Sequence, residues 1–233
     1  MKKSVVQMTR GLWLALALLL TGCASQRPAE TYKVYDFGPA PLQVPAAEVA
    51  ARMAPLVLFD TQTTPSLEGN AMLYRLAYAD AQQLKPYALA RWSMPPAQLI
   101  SQRLRQHLGL QRAVVAPGEL LPASAPRFAA SATAVPVSAP SPSLAAPLLN
   151  LRLVLEEFSQ VFDSPADSHG LLRVRATLTQ RASGSETLLA QRSFVVQQPA
   201  PSPDAVGAVR ALTAASDQLA LQLEAWLALW GRL

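Results

Sequence analysis

Apolar and polar residues alternate along several stretches of this chain and recur every three or four residues along two others. Strict alternation marks half-buried strands, and three-to-four spacing marks amphipathic helices. Tyr32–Phe37 reads as a first strand, and Pro55–Asp60 (PLVLFD) as a short buried one. In Ala71–Tyr78, Met72, Tyr74, Leu76 and Tyr78 fall on one side, with Glu68-Gly69-Asn70 supplying the preceding turn. Tyr87–Trp92 alternates again and is stopped by Pro95-Pro96. Pro96 suits the first turn of a helix over Ala97–Leu108, with Ile100, Leu104 and His107/Leu108 on one face and Gly109 as its stop. Ala113–Ala116 is one further short strand.

The second half follows the same outline. Leu148–Phe162 places Leu149, Leu151, Leu153 and Leu155 on one face, and Ser164–Gly170 turns the chain. Leu172–Leu178 alternates, Gly184-Ser185 turns, and Leu188–Val196 is strand-like. After the break at Pro199–Pro203, Asp204 is a good N-cap for a helix from Ala205 to about Trp230. Its apolar face carries Val209, Leu212, Ser216, Leu219, Leu223, Trp226 and Trp230. The predicted fold is α+β: an antiparallel sheet, because short turns join the strands, with helices on one face, built as two pseudo-repeated β-β-β-α units.

Between these halves, residues 117–147 hold seven prolines scattered through Ala and Ser. That composition predicts an extended insert rather than core.

Composition changes the picture most at the start of the chain. Lys2, Lys3 and Arg10 precede a short apolar run, Leu12–Leu20, and Thr21-Gly22 lead to Cys23, the only cysteine. This is the layout of a secretory signal. Leu20-Thr-Gly-Cys23 resembles the lipobox of bacterial lipoproteins, which implies that Cys23 is lipidated and becomes the first residue of the mature chain. The apolar run is about half the length a membrane span needs. The expected organisation is a signal over 1–22, a lipidated tether and lead-in strand over 23–54, a first half-domain over 55–116, the insert over 117–147 and a second half-domain over 148–233.

Formal net charge is +5, but without Lys2, Lys3 and Arg10 there are 17 basic against 15 acidic residues. No basic block remains to serve nucleic acid. Once Cys23 is acylated there are no thiols, so disulfides and thiolate metal sites are excluded. Stability rests on an apolar core, which the 51% hydrophobic content permits.

No catalytic motif emerges, and no cofactor or metal is expected. Phosphate loops and nucleophile elbows are absent. His107 and His169 have no partners at metal-ligand spacing. Glu156-Glu157 is the one acidic pair, and on a regular strand its members point to opposite faces. Arg75, Arg91 and Trp92 lie near the Pro-Pro junction, where packing and partner contact compete as explanations. Trp226 and Trp230 at the end of the last helix pose the same choice.

Several motifs together resemble the ABC-type transport auxiliary lipoproteins, which include the PqiC-like proteins: the lipobox, Tyr35-Asp-Phe-Gly38, Met72-Leu-Tyr-Arg75, Arg91-Trp92-x-x-Pro95-Pro96, Leu155-Glu-Glu-Phe158 with Phe162-Asp163, and the Asp204-Ala205 helix with Trp226. The resemblance implies a periplasmic, lipid-anchored, non-enzymatic subunit of an Mce-type ABC system that moves lipids or other hydrophobic molecules. Its implied partners are the Mce-domain substrate-binding protein, the ABC permease and its ATPase, and a membrane through the anchor; self-association stays open. Ala24 after the cysteine, where an aspartate would resemble an inner-membrane retention signal, favours the outer membrane. The competing readings are a lipid-binding carrier with its own apolar cavity, an anchored hydrolase, and a structural envelope lipoprotein.

Overall fold

The computed structural model describes residues 31–39, 53–119, 148–182 and 185–230. Cys23, Ala24, the signal and nearly all of the Pro/Ala/Ser insert lie outside these residues. The frame is a meander of three 15-residue strands: β7 (Leu148–Phe162), β8 (Ser168–Ala182) and β9 (Ser185–Pro199). Their alternation explains them. Leu149, Leu151, Leu153 and Leu155 of β7, Leu172, Val174, Ala176 and Leu178 of β8, and Phe194 and Val196 of β9 are buried on one face. Arg152, Arg173 and Arg175 stand on the other, the apolar-in, polar-out alternation of antiparallel strands.

One irregularity resets β7. The register with β8 shifts between Leu155 and Glu157, so Glu156 is an extra residue, and Phe158 returns to the covered face opposite Leu172. The expectation that Glu156 and Glu157 point to opposite faces is therefore corrected. Both reach the open face, Glu156 to Arg175 at 3.5 Å and Glu157 to Arg75 at 3.0 Å.

The other edge of β7 is lined by three short strands of the first half, all parallel to it. These are β2 (Leu56–Leu58), β3 (Gln62–Thr63) and β4 (Ala71–Leu76), with Leu56 opposite Leu149, Gln62 opposite Val154 and Tyr74 opposite Gln160. A 3-10 turn at Pro65–Leu67 separates β3 from β4. β5 (Ala81–Trp92) pairs antiparallel with β4, β1 (Lys33–Tyr35) pairs parallel with β5, and β6 (Val114–Val115) pairs parallel with β2.

The sheet is thus mixed, not antiparallel as expected. The antiparallel pairs are β4–β5, β7–β8 and β8–β9, which follow one another closely in the chain. The halves join through parallel pairs, which the long intervening chain with its helix allows. The expected repeat of two β-β-β-α units is not seen. The first half supplies short pieces to one edge of β7, while the second supplies three long strands.

Among the described residues three helices complete the unit: α1 (Ala77–Asp80), α2 (Pro96–Leu108) and α3 (Ala205–Leu227). In α2, Pro95 is the N-cap and Gly109 the C-cap, with Arg105 and His107 in the last turn, where the helix dipole favours positive charge. Asp204 caps α3 by accepting from the Gly207 N–H at 2.8 Å. The helix ends at Leu227, before Trp230. Leu212, Leu219, Leu223 and Trp226 form its buried stripe over β7, β8 and β9. Alanines on this stripe allow close approach: a Cβ at Gly170 of β8 would meet Ala211 at 3.0 Å. Ser101 of α2 accepts from the Thr61 N–H and donates to Thr61 Oγ1, which ties α2 to the β2–β3 segment. Both helices share one face of the sheet, as expected, and meet through Arg103 and Asp217.

Candidate docking surfaces

The sequence-selected residues divide into structural and exposed groups. Trp92 is 1% exposed. Its ring lies 5.5 Å from Phe158 and 5.8 Å edge-on from Phe37. Trp226 is buried, with its ring 5.8 Å edge-on from Phe194. Both indoles fill the core and offer a partner almost no surface, so the packing explanation holds for them. Arg75 forms a clasp: Nε and Nη2 donate to Glu157 and Nη1 to the Ala81 and Gln82 carbonyls, joining β4, β5 and β7. Arg91 is half-buried on β5, in register with Val34 and Ala71. Only Trp230 is exposed among the tryptophans of this set, at 43%, beside Leu229 at 76%.

Several contacts were not legible in the sequence. Phe37 projects beyond β1 onto Trp92 and Phe158, and Gly38 turns the chain there. Gly38 has φ +67°, which suits glycine, and its N–H donates to Asp36 Oδ1 at 2.8 Å. Around this turn lie an open groove of about 550 Å³ against α3 and a smaller one of about 100 Å³ against α2. The larger combines Val34, Phe37 and Val209 with a charged rim of Asp36, Arg210 and Asp217. Beneath it Arg103 Nε donates to Asp217 Oδ1 at 2.5 Å and Nη2 to Oδ2 at 3.0 Å.

A buried polar network joins the two halves. Tyr87 donates to Gln160 Oε1 at 2.5 Å, and the Gln160 amide donates to Ser168 Oγ at 2.8 Å and to the Ser202 carbonyl at 3.3 Å. Burial, then the negative charge of Asp204, pushes the Tyr87 hydroxyl pKa up, so it stays a donor. On the open face Glu186 accepts from Arg152, Thr179 and Asn150, which hold its carboxyl down at about 2. The Gly207 N–H and the Ser202 hydroxyl lower Asp204 in the same way. Burial lowers the Arg112 pKa, opposed by Glu224; Arg112 is 1% exposed, and its guanidinium has no hydrogen-bond partner.

Each histidine lies nearer an acid than spacing predicted. His169 Nδ1 is 2.8 Å from Asp163 Oδ2, and His107 Nε2 is 3.9 Å from Asp217. Ser164, in the same turn as Asp163, donates to Asp167 instead. Among the described residues no three His, Cys, Asp or Glu side chains are grouped to hold a metal. No helix among them is long and apolar enough to cross a membrane.

This arrangement defines an α+β sheet protein with a helix-covered face, an ion-paired open face and surfaces suited to binding. Residues 35–224 match the family described as ABC-type transport auxiliary lipoprotein component, and the chain belongs to it. That description is of a transport component, not of a catalyst. In fold the chain is similar to the crystal structure of protein XCC0632 from Xanthomonas campestris, of the DUF330 family, at TM-score 0.59 and 15% identity over 83% of this chain and 94% of that one. It is also similar to the crystal structure of an uncharacterized protein at TM-score 0.54 and 14% identity, over 85% and 99%. No curated protein matches the chain.

Proposed function

We propose that this protein is a lipid-anchored, non-catalytic subunit of an Mce-type ABC transport system, held on the periplasmic side of the envelope, with the outer membrane favoured. The observation that carries this reading is the family match over residues 35–224, which supports an auxiliary role in ABC transport. The lipobox-like Leu20-Thr-Gly-Cys23 supports the anchor, and three acyl chains there exceed the two signals that stable anchoring takes. In this reading the signal ends at residue 22, residues 23–54 hold the lipidated tether and the lead-in strand β1, and the folded unit docks on the Mce-domain protein or holds it against a membrane. The ATPase and permease supply energy and passage. Ala24 leaves the anchor free of the aspartate retention signal.

The test is affinity purification of the native lipoprotein from gently solubilised membranes, with mass spectrometry of proteins and lipids. Recovery of an Mce-domain protein with its permease and ATPase is expected. Lipid alone would favour a carrier, for which the groove beside Phe37 is the place to look. Cys23→Ser should leave the fold intact and release the protein into the soluble fraction. Retention of that variant on salt-washed membranes would overturn the anchor.

A further inference from the structure

The two edges of the sheet differ. At one, the short strands of the first half end in β1, paired over Lys33–Tyr35, and in β6, paired over Val114–Val115. At the other, β9 pairs with β8 alone among the described strands. Its 15 residues leave about 50 Å of edge. Natural edges are usually blunted by short length, charge, proline or covering structure. Here the one proline is the last residue, Pro199, and the only charged side chains are Glu186 and Arg192. Glu186 is already engaged by Arg152, Thr179 and Asn150.

The strand is also well braced. Phe194 and Val196 are buried beneath α3, so the free edge belongs to the core rather than to a loose hairpin. On its open face Val195 is 51% exposed and Leu188 62% exposed, both apolar. Arg192 lies on the helix side, in line with Phe194, its guanidinium 4.9 Å from the ring centroid. Among the described residues no carboxylate pairs with it.

We infer that the free edge of β9 receives an extended segment of the transport partner as a tenth strand, with a carboxylate of that segment facing Arg192 and an apolar side chain beside Val195. Backbone hydrogen bonds would supply affinity, and the alternating side chains specificity. This rests on the transport reading above. A second copy of the chain fits less well. Its β9 carries one carboxylate, Glu186, which lies on the open face, opposite to Arg192, and is held by three donors. Pairing two copies would leave both Arg192 side chains without a counter-charge.

The test uses the complex purified from native membranes. Hydrogen exchange over 185–199 should slow in the complex relative to the isolated lipoprotein. A photo-crosslinking residue at Val195 should trap a component of the ABC system, whereas one at the exposed Leu221 of α3 should not. R192E should lower recovery of that component about tenfold, and R192K should restore it. Unchanged exchange over β9 in an intact complex, crosslinks from position 195 only to a second copy, or full recovery with R192E would each overturn the edge proposal while leaving the transport reading standing. Absence of any ABC component from the wild-type purification would overturn both.

Discussion

Removing Asp217 should cost this protein more than removing its partner Arg103. The two side chains make a bidentate pair between α2 and α3, at 2.5 and 3.0 Å. Their surroundings are unequal: the Arg103 side chain is 6% exposed and that of Asp217 35%. Asp217→Ala strands a guanidinium that water can barely reach. Breaking a buried pair this way costs 3–5 kcal/mol, and the partial exposure of Asp217 puts the loss near the low end, about 3 kcal/mol. For a chain of this size that is a fall in Tm of about 6–12 °C. Arg103→Met keeps most of the buried stem and leaves a carboxylate that can hydrate, with His107 3.9 Å away. Its cost should be about 1 kcal/mol. The double variant should lie within about 1 kcal/mol of wild type, since neither charge is stranded. Urea unfolding at pH 7, followed by far-ultraviolet circular dichroism, measures all three. Equal losses for the single variants, or a larger loss for Arg103→Met, would refute the argument from unequal burial.

Three further outcomes are expected. Gly207→Ala would place a Cβ 1.9 Å from the Ser202 carbonyl oxygen; it should cost about 3 kcal/mol or more in thermal unfolding, while Gly69→Ala, with open space around it, should stay within about 0.5 kcal/mol of wild type. Arg112→Met should match or exceed wild type in Tm, because it removes a buried guanidinium with no hydrogen-bond partner; a marked loss would show that Arg112 holds the α2 and α3 ends together. Glu186 titrates at about 2 in the fold against an ordinary 4.5. A depressed carboxyl stabilises the fold fully above its unfolded value and loses that contribution as pH falls from about 4.5 to about 2. Tm measured across that window should fall less steeply for Glu186→Gln than for wild type.

How much of this was legible in the sequence depends on the range of the interaction. Local patterns placed the strands and helices: Leu148–Phe162 as a single strand, Pro95-Pro96 as the start of α2, and Asp204 as the cap of α3. Each rests on side chains a few residues apart, whose periodicity or capping chemistry the chain displays directly. The lipobox-like segment is local in the same sense and is read without a fold. The family resemblance likewise came from short motifs, which apart from the lipobox and Trp226 lie within the matched residues 35–224.

What only the tertiary structure decided involves residues far apart in the chain. The parallel pairing of β7 with 56–76 depends on which edge remains free once β8 has paired, and alternation does not encode partner or direction. A single bulge at Glu156 put two carboxylates on the open face. The burial of Trp92 depends on Phe37, 55 positions earlier, and Phe158, 66 positions later. The same aromatic and arginine residue types serve cores and interfaces, so composition alone could not separate Trp92 and Trp226 from the exposed Trp230. The outer edge of β9 is the extreme case: among the described strands it pairs with β8 alone, a property of the assembled sheet and of no residue in it.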